Sequence, residues 1–175
     1  DVDLTVSSGV ATWTATEAMF LDKIGTGYVL QANDGTRTAN STTFDVTPAA
    51  PAALVWSTQP ASGNAGTNLV PVIEIQDSLG NIVTTDNTSV ITLSIQTNPG
   101  SSTLAGDVDL TVSSGVATWT GAQAMFLDKV GTGYVLQASD GTRTANSTTF
   151  DVTHAAANQL VWSTQPASGN AGVNL

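Results

Sequence analysis

The chain contains no cysteine, which excludes a disulfide framework, a thiolate metal site and a cysteine nucleophile. Cations are almost as scarce. Lys23, Arg37, Lys129 and Arg143 are the only fixed positive charges against fourteen Asp and Glu, for a net charge of −10. Such a chain has no basic face with which to neutralise phosphates, so nucleic acid is not an expected partner. Charged residues make up 10% of the sequence, well under the roughly 25% of ordinary soluble domains. No apolar run approaches the roughly 20 residues needed to span a bilayer, so no membrane span is expected. The opening Asp1-Val2-Asp3-Leu4 lacks the positive start and apolar centre of a signal peptide, and the chain reads as an internal piece or a processed product. What fills the gap is Thr, Ser, Gly, Asn and Val, with four Trp and four Phe among 175 residues. That apolar content argues against disorder, and the length suits one domain or two small ones.

The dominant feature is a recurrence. Residues 1–69 align without a gap on residues 107–175, an offset of 106, and 59 of the 69 positions are identical. Convergence does not produce identity at that level, so the pattern reads as a tandem repeat with a 106-residue period. The expected division is the C-terminal part of one repeat over 1–53, a complete repeat over 54–159, and the N-terminal strand of the next over 160–175. Nothing in the two outer pieces corresponds to residues 70–106, so the natural protein is expected to continue in both directions unless another chain supplies those strands. A period this long fits an array of domains better than a short-repeat solenoid.

Within residues 54–159 the hydrophobic period is two, as in half-buried strands. Leu54 and Trp56, Ile73 and Ile75, Ile91 with Leu93 and Ile95, Val108 with Leu110 and Val112, Tyr134 with Leu136 and Ala138, and Phe150 with Val152 each share a parity. Turn signals separate them, among them the segment 77–81, Asn98-Pro99-Gly100, Ser113-Ser114-Gly115 and Asp140-Gly141. Seven to nine short strands in about 100 residues describe an all-β, β-sandwich domain. Only 120–128 hints at a helix. Tyr134 stands where the tyrosine corner of Ig-type sandwiches would place it, or is an ordinary amphipathic core tyrosine.

These residues carry a family resemblance. Leu54-Val55-Trp56-Ser57-Thr58-Gln59-Pro60, Ala65-Gly66, Asp77-x-x-Gly80-Asn81, Gly115-Val116-Ala117, Gly131-x-Gly133-Tyr134 and Ser147-x-x-Phe150-x-Val152 resemble, in that order, the consensus of bacterial Ig-like repeats. Such repeats occur in tandem in large extracellular or surface-anchored proteins, including invasin-like, intimin-like and giant adhesin-type arrays. The resemblance covers the whole unit and implies an Ig-like β-sandwich, an extracellular or cell-surface location, and a spacer or filament role with no catalytic residues to transfer.

Sharper chemistry finds few candidates. His154, the only histidine, is matched by Pro48 in the other copy, which argues for a linker residue over a catalyst. Asp107 and Asp109 share a strand face with Thr111 and read as a solvated edge, so no enzyme is expected. Calcium is the one cofactor considered. Asp and Asn at turns offer hard oxygen ligands, and Asp77 and Asp86 are the metal candidates, against the plainer expectation of hydrogen-bonded turn aspartates. Lys129 and its copy Lys23 would need burial to form an isopeptide bond with Asn, and the neighbouring Asp128 argues against that. Trp13, Trp56, Trp119 and Trp162 share parity with apolar neighbours and read as core rather than as a glycan platform. Asn40, Asn87 and Asn146 form glycosylation sequons that a Thr-rich and Asn-rich composition easily generates.

Two functions follow as expectations. The first is a non-catalytic structural module of a long cell-surface fibre, with neighbouring identical repeats in the same or adjacent chains as partners. The second is an adhesive module that recognises a glycan or a host or partner-cell protein. The near-identity of the copies favours the first. The joint over 47–53 holds Pro48 and Pro51, whereas the second joint over 153–159 has neither and is expected to be looser.

Overall fold

A computed structural model describes residues 3–14 and 19–172; the extreme ends of the two outer pieces, 1–2 and 173–175, and residues 15–18 lie outside the described residues. The chain is all-β, with no α-helix among the described residues. Residues before position 50 contribute β1 (Gly25–Tyr28), β2 (Gln31–Asn33), β3 (Thr38–Asn40) and β4 (Phe44–Val46), paired as β1 with β4 and β2 with β3.

The rest of the strands build one unit. β5 (Pro51–Thr58), β7 (Val72–Asp77) and β11 (Val116–Thr118) form a three-stranded antiparallel sheet with β7 at its centre. A larger sheet runs β10 (Asp109–Thr111), β8 (Val90–Thr97), β13 (Gly131–Ser139), β15 (Phe150–Thr153) and β6 (Gly63–Asn64), with β14 (Thr144–Asn146) also paired to β13. β9 (Leu104–Ala105) and β12 (Phe126–Leu127) make a small separate pair. The first strand is thus shared between sheets: β5 pairs antiparallel with β7, and β6, a few residues on, pairs parallel with the last strand β15.

Period-two sequence explains where the core lies. In β7, Ile73, Ile75 and Asp77 are buried while Val72, Glu74 and Gln76 are only partly so. In β13, Tyr134, Leu136 and Ala138 are buried. These join Leu54, Trp56, Ile91, Leu93, Phe150 and Val152 in one hydrophobic cluster fed by both sheets, an arrangement compatible with a β-sandwich. Each large side chain buried here contributes about 1.5–3 kcal/mol. Trp56 also closes the side of the unit, its indole Nε1 donating to the Ala145 carbonyl of β14 at 3.2 Å.

Two expectations are refined. The segment 120–128 forms one 3-10 turn, Gly121–Gln123, capped by Thr120, whose Oγ1 accepts from the Ala122 N–H, and β12 follows after Ala124 and Met125. β5 starts at Pro51 rather than Leu54, so residues 51–53 of the expected linker are already strand; proline is tolerated as its first residue because no earlier ladder bond needs an N–H there.

Two glycines are dictated by the backbone. Ser113-Ser114-Gly115-Val116 closes with reciprocal backbone bonds and carries φ of 50° at Ser114 and 78° at Gly115, the type I′ pattern. Gly133, at φ 83°, lies in an irregularity of the β13–β15 ladder and donates its N–H to Asp151 Oδ1 at 2.8 Å.

Candidate functional site

A cluster of hydrogen bonds joins residues 22 and 49 to the turn that follows β7. β7 ends on Asp77, whose carboxylate organises the turn that follows. Its Oδ1 accepts from the Leu79 N–H and the Asn81 N–H, both at 2.9 Å, and its backbone exchanges bonds with Asn81 and Gly80. Its Oδ2 accepts from Asn81 Nδ2 at 3.2 Å and, across the joint, from the Ala49 N–H at 3.1 Å. Asn81 reaches the same way, Nδ2 donating to the Asp22 carbonyl at 2.8 Å. Burial by itself would raise the Asp77 carboxyl, but the donors from Asn81, Ala49 and Leu79 outweigh it and hold the group at about 2.

A second contact comes from the β13–β14 hairpin. Arg143 Nη1 donates to the Pro51 carbonyl at 3.2 Å, and Nη2 pairs with Asp140, whose side chain is almost wholly buried. Arg143 Nε is buried without a partner. Burial pushes the Asp140 carboxyl up; the Arg143 and Thr142 N–H groups and the Arg143 guanidinium bring it below its ordinary value. Ile24, Thr26, Val46 and Pro48 of the preceding segment face Thr84 and Thr85 across a shallow groove. The segment before β5 is therefore tied at two points, Asp22 and Ala49, by Asn81 and Asp77, while Arg143 holds the first residue of β5.

The calcium candidates are turn residues with their oxygens in use. Asp77 accepts four donors, as described. Asp86 accepts from the Thr88 and Ser89 N–H groups, both at 3.0 Å, and from Ser89 Oγ at 2.7 Å. Burial alone would raise the Asp86 carboxyl; the Ser89 and Thr88 bonds and the Arg143 charge outweigh it and hold the group below its ordinary value. Among the described residues no three His, Asp or Glu side chains come together as a metal-holding group.

The other candidates separate along the copies. Trp119 and Trp56 are buried, the Trp119 Nε1 donating to the Asp107 carbonyl at 2.9 Å, whereas Trp13 and Trp162 are exposed. His154, Asp107 and Asp109 are exposed. Lys129 lies 3.2 Å from Asp128 with its side chain largely in solvent, which removes the burial an isopeptide bond requires. Tyr134 is fully buried; its hydroxyl donates to the Lys129 carbonyl at 2.8 Å and its ring sits 6.0 Å from Phe150, which is the tyrosine-corner geometry.

Sequence reasoning named Asp77 and Asn81 as a turn but gave neither a role at the joint, and it passed over Arg143. Its only signal was Asp140-Gly141-Thr142-Arg143 recurring as Asp34-Gly35-Thr36-Arg37, which predicts a hairpin but not a contact to Pro51. No family model and no curated protein matches this chain.

Proposed function

We propose that the chain is a non-catalytic structural module, a tandem array of Ig-like β-sandwich repeats with a 106-residue period, that acts as a spacer or scaffold in a long extracellular, cell-surface fibre. The tied joint carries this reading. A spacer transmits length only if successive units keep a direction, and the hydrogen bonds that Asn81 donates to residue 22 and Asp77 accepts from residue 49 restrict that joint. The split of the first strand between two sheets and the buried tyrosine corner support the Ig-like part of the reading. The partners it implies are neighbouring repeats, and it requires no cofactor.

The test is electron microscopy of the native material. The expected result is filaments with an axial repeat of about 35–45 Å, one small domain in length. Flexible beads with no preferred angle at the joint would sink the spacer reading and favour an adhesive module on a loose stalk.

A further inference from the structure

The complete unit contains a template for an interface that the rest of the chain leaves unmade. Residues 160–172 repeat residues 54–66 letter for letter, and residues 21–47 repeat 127–153 except at Ile24 and Asn33, which replace Val130 and Ser139. Within the complete unit the first of these segments lies on the second. β6 runs parallel to β15, Gly63 opposite Val152 and Asn64 opposite Thr153, and the Ala65 N–H donates to the Thr153 carbonyl at 2.9 Å. Side chains fix the register: Gln59 Oε1 accepts from the Thr148 N–H, Ser62 Oγ from the Asp151 N–H, both at 2.9 Å, and Trp56 Nε1 donates to Ala145.

Both halves of this interface recur with their faces open. Leu160, Val161 and Trp162 project into solvent, and Leu21 and Leu30 are exposed on the other half. β15 is flanked by β13 and β6, whereas its counterpart β4 has β1 on one side and no strand on the other among the described residues. The backbone partners for the copied register are all present: Ala39 and Thr47 carbonyls as acceptors in place of Ala145 and Thr153, and Thr42 and Asp45 N–H groups as donors in place of Thr148 and Asp151.

We propose that residues 160–172 of one copy of this chain dock on residues 21–47 of a second copy, in the register that 54–66 keep against 127–153, so that copies associate head to tail. This deepens the structural-module reading and rests on it. The two surfaces differ, so the contact is heterologous and each addition leaves one open half at either end, which gives growth rather than a closed dimer. Recognition is strand addition along the free edge of β4, with Trp162 seated over Ala39 as the anchor.

The experiment is sedimentation velocity on the 175-residue chain across about a hundredfold range of concentration, where mass action resolves a growing series from a monomer. The expected result is a weight-average sedimentation coefficient that rises with concentration. Trp162→Ala should abolish the rise, and Ala171→Pro, which deletes the N–H equivalent to that of Ala65, should weaken it at least tenfold. Both sites are solvent-exposed, so far-UV circular dichroism of the variants should be unchanged. A peptide of residues 158–172 should suppress assembly. A monomer at all concentrations overturns the proposal, and so does assembly indifferent to both variants and to the peptide. Neither outcome touches the spacer reading, which stands or falls on the angle at the 47–53 joint, measurable by small-angle scattering on the monomer.

Discussion

Tyr28 and Tyr134 make the same bonds in different surroundings. Each hydroxyl donates to the carbonyl five residues upstream, at 3.0 Å to Lys23 and 2.8 Å to Lys129, and each ring lies 6.0 Å from the following phenylalanine. The same pairing holds at Gly27 with Asp45 and Gly133 with Asp151, and at Leu30 with Ser41 and Leu136 with Ser147. Yet burial diverges. Trp119 is 1% exposed and Trp13 42%; Leu127 is 2% exposed and Leu21 39%; Trp56 is 8% exposed and Trp162 72%. The difference teaches that turn and hairpin geometry in this chain is local, while the core depends on β7 and β8, which lie in the segment that occurs once.

The largest effect that would test the comparison is a paired tryptophan truncation. Trp119→Ala should cost about 3–5 kcal/mol of unfolding free energy in urea titration, as expected for a buried aromatic that also loses a hydrogen bond. Trp13→Ala should stay within about 0.5 kcal/mol, the range of exposed sites. Equal losses would mean that Trp13 is covered in solution.

Next is the tyrosine pair. Tyr134→Phe leaves the Lys129 carbonyl without its buried donor and should cost about 1–2 kcal/mol, whereas water replaces the bond in Tyr28→Phe and the change should be under about 0.5 kcal/mol. Thermal unfolding of the two variants side by side reads the difference.

Acid should act on the joint. The Asp77 carboxyl is held at about 2 against an ordinary 3.8, so its contribution is complete above 3.8 and is lost as pH falls from there through 2. Unfolding free energy should therefore decline over that window, and Asp77→Asn should flatten the decline; an unchanged slope would mean that Asp77 is not the coupled group. The smallest effect expected is at the second joint. His154→Pro restores the residue of the first copy at an exposed position, and stability should move by under about 0.5 kcal/mol while scattering shows a narrower spread of chain dimensions.

Much of the strand parity was legible. Ile73 and Ile75, Ile91 and Leu93, and Tyr134, Leu136 and Ala138 are buried as their spacing predicts, because a pleated strand allows one face to meet the core. The Ser113–Gly115 and Asp140–Gly141 turns were legible for the same reason, since glycine meets a backbone requirement within four residues. The joint was not. Asp77 to Ala49, Asn81 to Asp22 and Arg143 to Pro51 join residues 28, 59 and 92 positions apart, and no local pattern encodes such pairs. The start of β5 at Pro51 was hidden because a proline-rich and alanine-rich stretch reads as linker until β7 pairs with it.

By itself, then, the sequence determined the β character of the chain, its turns, and the side-chain bonds that recur in both copies, all of them interactions closed within about twenty residues. The tertiary structure decided which of two identical tryptophans is core and which is surface, and which turn ties a joint. The physical reason is that a hairpin satisfies its own backbone, whereas burial requires a second sheet, and here the strands that supply it, β7 and β8, occur once.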